Sequence, residues 1–409
     1  MHLLQKYLKI SIIFIILEIW CYFIALTIII FLRLFNNYFN FRFGRCRIDV
    51  IGNSFFNLDC YIGENKITEK NYKDYFFIEG ECCNNFLLKL VKRNLKIYWF
   101  IKYLFKIDKI VPGKKLSIFP NDYREIGAGG TDPNKIVSKT ANNIIFTNEE
   151  NNIGKRFIKE TGLESKKFVC FIYRNDSYKK KYFTKYKMSF SYHDYRNSSI
   201  DKYYEALNYL TSKGLYIIRM GKGESNPIET KNDKIIDYSF SKKRSDFLDI
   251  WLMSKCEFCF TSGTGLDDVA IAFRKPLLHV NQIPIAGVRT YYPNILCIFK
   301  KLKLQNEFHY LNLSKIIEMK AEYLLRSEEY LLKKINIEEN TSEEIKEAAE
   351  EMYLRLNNQW ADNKNFNDLQ LKFWNKLKSS KQFLSGERWI HSGCKIGSKY
   401  LIENKHLLN

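Results

Sequence analysis

The sequence predicts an α/β protein whose larger part is a parallel sheet with helices on both faces. Three observations carry that expectation. From about residue 147 to residue 281, apolar runs of strand length alternate with amphipathic runs of helix length, the pattern of strands joined by crossover helices. Within this region a small polar turn, Thr261-Ser262-Gly263-Thr264-Gly265, joins a strand at 257–260 to a helix at 266–273, and Pro276 separates that helix from the next apolar strand. Near the N-terminus, residues 10–32 are apolar apart from Ser11, Glu18 and Thr27.

The N-terminal run comes first in the chain. As a helix it would be about 34 Å long, enough to cross the hydrocarbon core of a bilayer. It is too long for the apolar part of a cleaved signal peptide, and no small-residue cleavage motif follows it. Lys6 and Lys9 precede it, whereas Arg33, Arg42, Arg45 and Arg47 follow it. The heavier positive side is the C-terminal one, so residues 1–40 read as a single-pass anchor in the inner (cytoplasmic) membrane, with the rest of the chain in the cytoplasm. The alternative is a buried or interfacial helix, to which Glu18 points.

A strand is expected at 47–51 and a helix near 55–61. Residues 83–105 form an amphipathic helical region that Val111-Pro112-Gly113 ends, and 121–142 is a loop holding Gly127, Gly129 and Gly130. Together these make a first domain over 42–150. Thr147 to Glu150 opens a helix that Gly162 ends. A strand at 168–173, a polar loop at 174–199 and a helix at 200–212 follow; Tyr203, Leu207 and Leu210 line one face of that helix. Strands at 215–220 and 234–238 and a short helix at 247–253 lead to the Gly-containing turn, completing a second domain over 151–310. Beyond Pro293 the pattern turns helical, over 313–334, 341–357, 366–377 and 397–407. Thr341 and Glu344 form a capping box. This helical tail, 311–409, is expected to return to the first domain.

Composition narrows the function classes. The chain has 409 residues, 46% of them apolar, so two ordinary domains with a sizeable core are available. The formal net charge is +20, but the lysines are spread along the chain, and neither zinc-finger spacing nor an aromatic RNP motif is present. No nucleic-acid partner is expected; a basic surface also suits anionic lipid or an anionic sugar nucleotide. Of ten cysteines, Cys256 and Cys259 lie three apart on the expected central strand, where their side chains face opposite ways. No second C-x-x-C completes a zinc site. Cys46, Cys60, Cys82, Cys83, Cys170, Cys297 and Cys394 read as small buried hydrophobes in a reducing compartment.

Several motifs, in order, carry a family resemblance. They are Phe168-Val169-Cys170-Phe171 leading to Arg174, Tyr192-His193-Asp194-Tyr195-Arg196-Asn197-Ser198, Ile218-Arg219-Met220-Gly221, Arg244-Ser245-Asp246-Phe247-Leu248-Asp249-Ile250, and the stretch from Cys256 to Asp267 running on to Pro276 and Asn281. Lys395-Ile396-Gly397 with Tyr400-Leu401 closes the set. With these motifs the chain resembles a bacterial family of surface-polysaccharide glycosyltransferases, from about residue 45 to the C-terminus. The resemblance implies two Rossmann-like domains of GT-B type, with a nucleotide-sugar donor held mainly by the second. Three positions depart from the family pattern. Asn53 stands where His follows Ile-Gly, Ile172 stands in place of His, and Asn175 stands in place of Asp.

Sugar transfer from a nucleotide diphosphate requires neutralisation of the leaving phosphates and removal of a proton from the acceptor hydroxyl. The turn Ser262, Gly263, Thr264 and Gly265 is expected to present backbone N–H groups to the diphosphate. Arg174, Arg196 and Arg219 lie at or beyond strand ends, as phosphate ligands or as partners of surface ion pairs. His193 and Asp194 are the expected proton-transfer pair; the bland alternative is a loop brace. Asp267 either binds a sugar hydroxyl or complements a helix dipole, and Asn281 ends a strand toward the same crevice. No metal and no cofactor is expected, since no Asp-x-Asp stands at a strand end. The expected function is metal-independent transfer of a sugar to a lipid-linked or surface polysaccharide intermediate at the membrane. The alternative is a catalytically inactive relative that binds nucleotide or glycan in an assembly complex. A sugar-nucleotide epimerase would share the fold logic but has little need of a membrane segment.

Overall fold

A computed structural model describes residues 2–68, 72–113, 115–118, 132–177, 181, 191–224, 226–384 and 389–408. The glycines expected in the loop at 121–142 lie outside them. The chain divides into two compact units, Met1–Asp122 and Tyr123–Asn409.

The first unit opens with α1, His2–Phe39. Its residues 13–35 form one helix long and apolar enough to cross a membrane. From Cys21 onward one face of α1 packs against the unit, and Ala25, Ile29 and Leu32, spaced four and three apart, are buried with Phe43, Phe77, Leu104 and Phe105. The next element is β1, Phe41–Arg47, flanked in parallel by β2, Lys73–Glu79, and β3, Ser117–Ile118. The expected strand at 47–51 is displaced: β1 ends at Arg47, and a helix, Ile51–Ile67, starts where that strand should have been. Phe41-Arg42-Phe43-Gly44-Arg45-Cys46-Arg47 does not alternate cleanly, since Phe43 and Gly44 are both buried, and its arginines are held by Asp74, Glu79 and Asp49. Gly44 lets the ring of Phe76 lie against the backbone; a Cβ there would sit 2.3 Å from Cε1. The amphipathic region at 83–105 resolves into two helices, Asn85–Asn94 and Ile101–Ile110, separated where Ile97 bridges to Phe76 of β2.

The second unit is built on seven parallel strands. In chain order they are β4 (Phe168–Ile172), β5 (Tyr216–Arg219), β6 (Ile235–Ile236), β7 (Cys259–Thr261), β8 (Leu277–Gln282), β9 (Ile295–Phe299) and, much later, β12 (Lys395–Ile396). Their spatial order is β12-β9-β8-β7-β4-β5-β6. The chain starts at β4, moves outward to β6, returns to β7 beside β4, and then builds outward the other way. That reversal makes the crevice at the carboxyl ends of β4 and β7 the topological switch point, the place where open α/β sheets take their ligands. β4, β7, β8 and β9 are buried throughout, as strands covered on both faces must be.

Helix signals read from the sequence hold in several places. Thr147 and Glu150 close a capping box on the helix Asn148–Glu160, and Gly162 follows it with φ +68°. Thr341 and Glu344 do the same for Ser342–Leu356, which packs on the helix Tyr204–Ser212. The region after Pro293 is less helical than expected. β9 enters the sheet directly, and β10 (Lys301–Leu304) pairs antiparallel with β11 (Ile335–Glu338). The stretch 313–334 contains only two short helices, Leu313–Glu318 and Ser327–Leu332. Six of the seven cysteines expected as buried hydrophobes are buried or half-buried; Cys82, in the loop after β2, is exposed.

Candidate functional site

The site grows from the switch point. β4 delivers Tyr173 and Arg174 at its carboxyl end, and β7 delivers Ser262 and Gly263 at its own. Arg174 N donates to Ser262 Oγ at 2.8 Å, locking the two strand ends together. Gly263 has φ +93°, a conformation that side chains rarely adopt, and so turns its carbonyl toward two guanidinium groups. Arg196 Nη2 donates to that carbonyl at 2.9 Å and Arg174 Nη1 at 3.3 Å. A Cβ at 263 would lie 3.1 Å from His279 Nε2 and 3.2 Å from Arg196 Nη2.

The turn itself differs from a bare phosphate cradle. Gly263 N–H donates to Thr261 Oγ1 at 3.0 Å, and Thr264 N–H donates to Asp267 Oδ2 at 3.0 Å. Asp267 also accepts from the hydroxyls of Thr261 and Thr264, at 2.7 and 3.2 Å. Two of the expected phosphate donors are therefore used inside the turn, and Asp267, fully buried, is its brace. Gly265 has φ −69°, so its backbone angle does not require glycine. The groups with spare capacity are the side chains that surround the turn.

Those side chains carry unbalanced positive charge. Burial, and then the charge of Arg196, push the Arg174 guanidinium down to about 9. Burial lowers Arg196 as well, with Arg289 adding to the effect. Among the described residues neither is paired with a carboxylate, and Arg174 Nε is buried without a hydrogen-bond partner. Lys300, just past β9, donates to the carbonyl of Asn197; burial pushes its amine down to about 8, with Arg196 and Arg174 contributing and Glu339 opposing. His279 is held neutral by burial between Arg289 and Arg196. Arg289 is different: Asp268 and Asp267 lie 3.3 and 3.5 Å from it and raise it. Arg174 and Arg196 are half-buried, so cations without counter-ions there still carry part of the cost of leaving water, and a bound anion offsets it.

A hydrogen-bond chain fixes the scaffold behind the arginines. Ser262 Oγ lies 3.2 Å from Ser198 Oγ, which lies 2.9 Å from Tyr203 OH; Asn281 Nδ2 donates to that same phenol at 3.1 Å. Asn281, at φ +54°, exchanges two 2.7 Å hydrogen bonds with Asn340. Asn281 thus acts as a clamp between the end of β8 and the residues that open the helix Ser342–Leu356.

Of the residues named from sequence, Arg174, Arg196, Ser262, Gly263, Thr264 and Asp267 are brought together. Arg219, almost fully buried, is held by Glu224 and Asp237, each at 3.0 Å, and braces β5. Asn175 Nδ2 donates to Glu224 at 2.6 Å and belongs to that brace. Asp194 is exposed and accepts from Asn197 Nδ2 at 3.2 Å, while the His193 ring lies 4.0 Å from that of Tyr192. Sequence reasoning missed His279, Arg289 and Lys300. Their signal was present: a His between Leu278 and Val280, an Arg amid an apolar loop, and a Lys directly after an apolar strand. Among the described residues no group of three His, Cys, Asp or Glu side chains is placed to hold a metal.

No protein-family model and no curated protein matches the sequence. Solved structures to which the chain is similar include a glycosyl transferase family 9 protein from Veillonella parvula, at 11% identity and TM-score 0.45, covering 78% of this chain and 98% of that one. Another is the E. coli ADP-heptose LPS heptosyltransferase II, at 9% identity and TM-score 0.36, covering 63% and 90%. A third is the E. coli heptosyltransferase WaaC solved with ADP-2-deoxy-2-fluoro heptose, at 11% identity and TM-score 0.31, covering 63% and 92%. All three are glycosyltransferases.

Proposed function

We propose that the chain is a glycosyltransferase that moves a sugar from a nucleotide-diphosphate donor to a lipid-linked or surface polysaccharide intermediate, without a metal, at the cytoplasmic face of the inner membrane. One observation carries the reading: Arg174 and Arg196 meet at the switch point, share one carbonyl and lack a carboxylate counter-ion among the described residues. Two planar guanidinium groups with N–H bonds to spare suit a diphosphate, and Lys300 adds a third positive charge. In transfer, negative charge builds on the leaving diphosphate as the glycosidic bond breaks, and pre-placed cations stabilise that charge without reorganisation. His193, with Asp194 beside it, takes the acceptor proton. The turn Ser262 to Gly265 positions the arginines in this reading, and Asp267 and Asn281 hold the turn and the strand end in place. α1 supports a membrane-bound acceptor.

A second reading, a nucleotide-binding relative without transfer activity, is favoured by Asn175, whose amide serves the Arg219–Glu224 brace where the resembled family has an acid. The test is turnover of a panel of nucleotide sugars by full-length protein with membrane extract as acceptor, with and without a strong chelator. Release of nucleoside diphosphate in chelator is the expected result. Tight nucleotide binding without release supports the second reading, and restoration only by a divalent cation overturns metal independence.

A further inference from the structure

The free part of α1 and the first unit's surface meet at one level. Residues 13–20 of α1 are exposed on every side, and nearly all are apolar. A helix that is apolar all round requires apolar surroundings. Packing against the unit starts at Cys21 and Tyr22. The helix Ile101–Ile110 runs alongside α1 in the same direction: Tyr103 meets the Tyr22 ring edge-on at 4.9 Å, and eleven residues further along α1, Arg33 binds Asp108 and the carbonyls of Val111 and Pro112. The start of that helix therefore lies level with the point where α1 enters the unit. Residues 10–21, the part of the apolar run ahead of the unit, extend about 18 Å at 1.5 Å each, enough to reach well into the hydrocarbon core of a bilayer.

What the unit displays at this level is unusual for a water-facing surface. Tyr98, Trp99 and Phe100 are consecutive and exposed, Trp99 at 69%. Lys102 and Lys106 follow one turn apart, and Lys109 after them. Lys106 Nζ donates to Tyr22 OH at 3.2 Å, and Lys102 lies 4.6 Å above the Tyr103 ring, within electrostatic reach of Glu18. Aromatic rings with amphipathic character beside lysines match the headgroup layer of an anionic membrane.

We propose that residues 98–109, beside Glu18 and Tyr22 of α1, form a collar that seats the first unit on an anionic bilayer surface, so that the unit is docked on the membrane and not merely tethered to it. The inference rests on the reading of α1 as a membrane helix, and one experiment separates the two. Full-length protein is reconstituted into phosphatidylcholine vesicles containing phosphatidylglycerol, with bromine on the acyl chains as a quencher of tryptophan emission. Parent, Trp20→Phe and Trp99→Phe are compared, after circular dichroism shows equal melting. The expected result is that the quenched fraction falls in both variants. The fall for Trp99→Phe should be larger with phosphatidylglycerol than without it, and Lys102→Gln/Lys106→Gln/Lys109→Gln should remove that difference. If Trp20→Phe lowers the quenched fraction while Trp99→Phe raises it, Trp99 lies in water: the collar is refuted and the membrane helix stands. If Trp20→Phe leaves the fraction unchanged, the membrane reading itself fails. Trp99 emission shielded from both bromolipid and iodide would assign the face to a protein contact and overturn the proposal.

Discussion

Replacing Arg196 with Gln should weaken nucleotide binding while leaving the fold about as stable as the parent. Burial holds the guanidinium below its ordinary value, and Arg289 adds to that cost. Removal of the charge relieves both effects, and it also relieves Arg174, whose second-largest perturbation is the charge of Arg196. The loss on the other side is one charge-assisted bond to the Gly263 carbonyl, about 1.5–3 kcal/mol. That carbonyl keeps a donor, because Arg174 Nη1 lies 3.3 Å away, so no buried acceptor is orphaned. Arg196 is half-buried, so its unpaired charge carries only part of the cost of a buried ion, and the two effects should leave stability within about 1 kcal/mol of the parent. Binding should move the opposite way. Loss of one charged hydrogen bond to phosphate costs about 1.5–3 kcal/mol, roughly tenfold to 150-fold in Kd. The assay is calorimetric titration of ADP, UDP and GDP into full-length protein in detergent, alongside urea denaturation of both forms. A variant that binds as tightly as the parent and is destabilised by more than about 2 kcal/mol would refute the reasoning and make the arginine a structural brace.

Three further outcomes follow from the same geometry. Gly263→Ala should destabilise by about 1–3 kcal/mol, because φ +93° strains any side chain and the 3.1–3.2 Å contacts require His279 and Arg196 to give way slightly, whereas Gly265→Ala at φ −69° should melt like the parent; equal melting of the two would discount the strain. Lys300 titrates at about 8 in the folded protein, below its ordinary value of 10.5, so the unfolded chain binds more protons above pH 8. Its contribution to stability should therefore rise from pH 8 to 10.5 while nucleotide affinity falls, and Lys300→Met should reduce both slopes, leaving the part contributed by Arg174, pushed down to about 9, in parallel denaturation and titration series. Deletion of residues 1–38 should unfold the first unit, since it removes Ala25, Ile29, Leu32 and Arg33, whereas deletion of residues 1–20 should leave that unit's helical circular dichroism and cooperative melting intact.

The sequence by itself determined the α/β class, the long apolar helix, the capped helices at Thr147 and Thr341, and the turn around Gly263. Each is a local property: a period of side-chain burial, a cap within four residues of its partner, or a glycine between strand and helix. It also pointed to Arg174 and Arg196 as cations beyond β4. Tertiary structure decided the rest. The strand at 41–47 was hidden because its apolar residues change phase at Gly44 and its arginines were read as membrane-flanking charges; only pairing with β2 shows them as strand residues with carboxylate partners. β9 and β12 join one sheet although most of a helical tail separates them in the chain. Arg219 and Arg196 look alike in sequence, each an arginine at or beyond a strand end. Glu224 and Asp237 neutralise the first, whereas the second meets Arg174 and a carbonyl. Charge balance at a buried site is a sum over neighbours drawn from distant segments, and the sequence lists the charges without saying which of them meet.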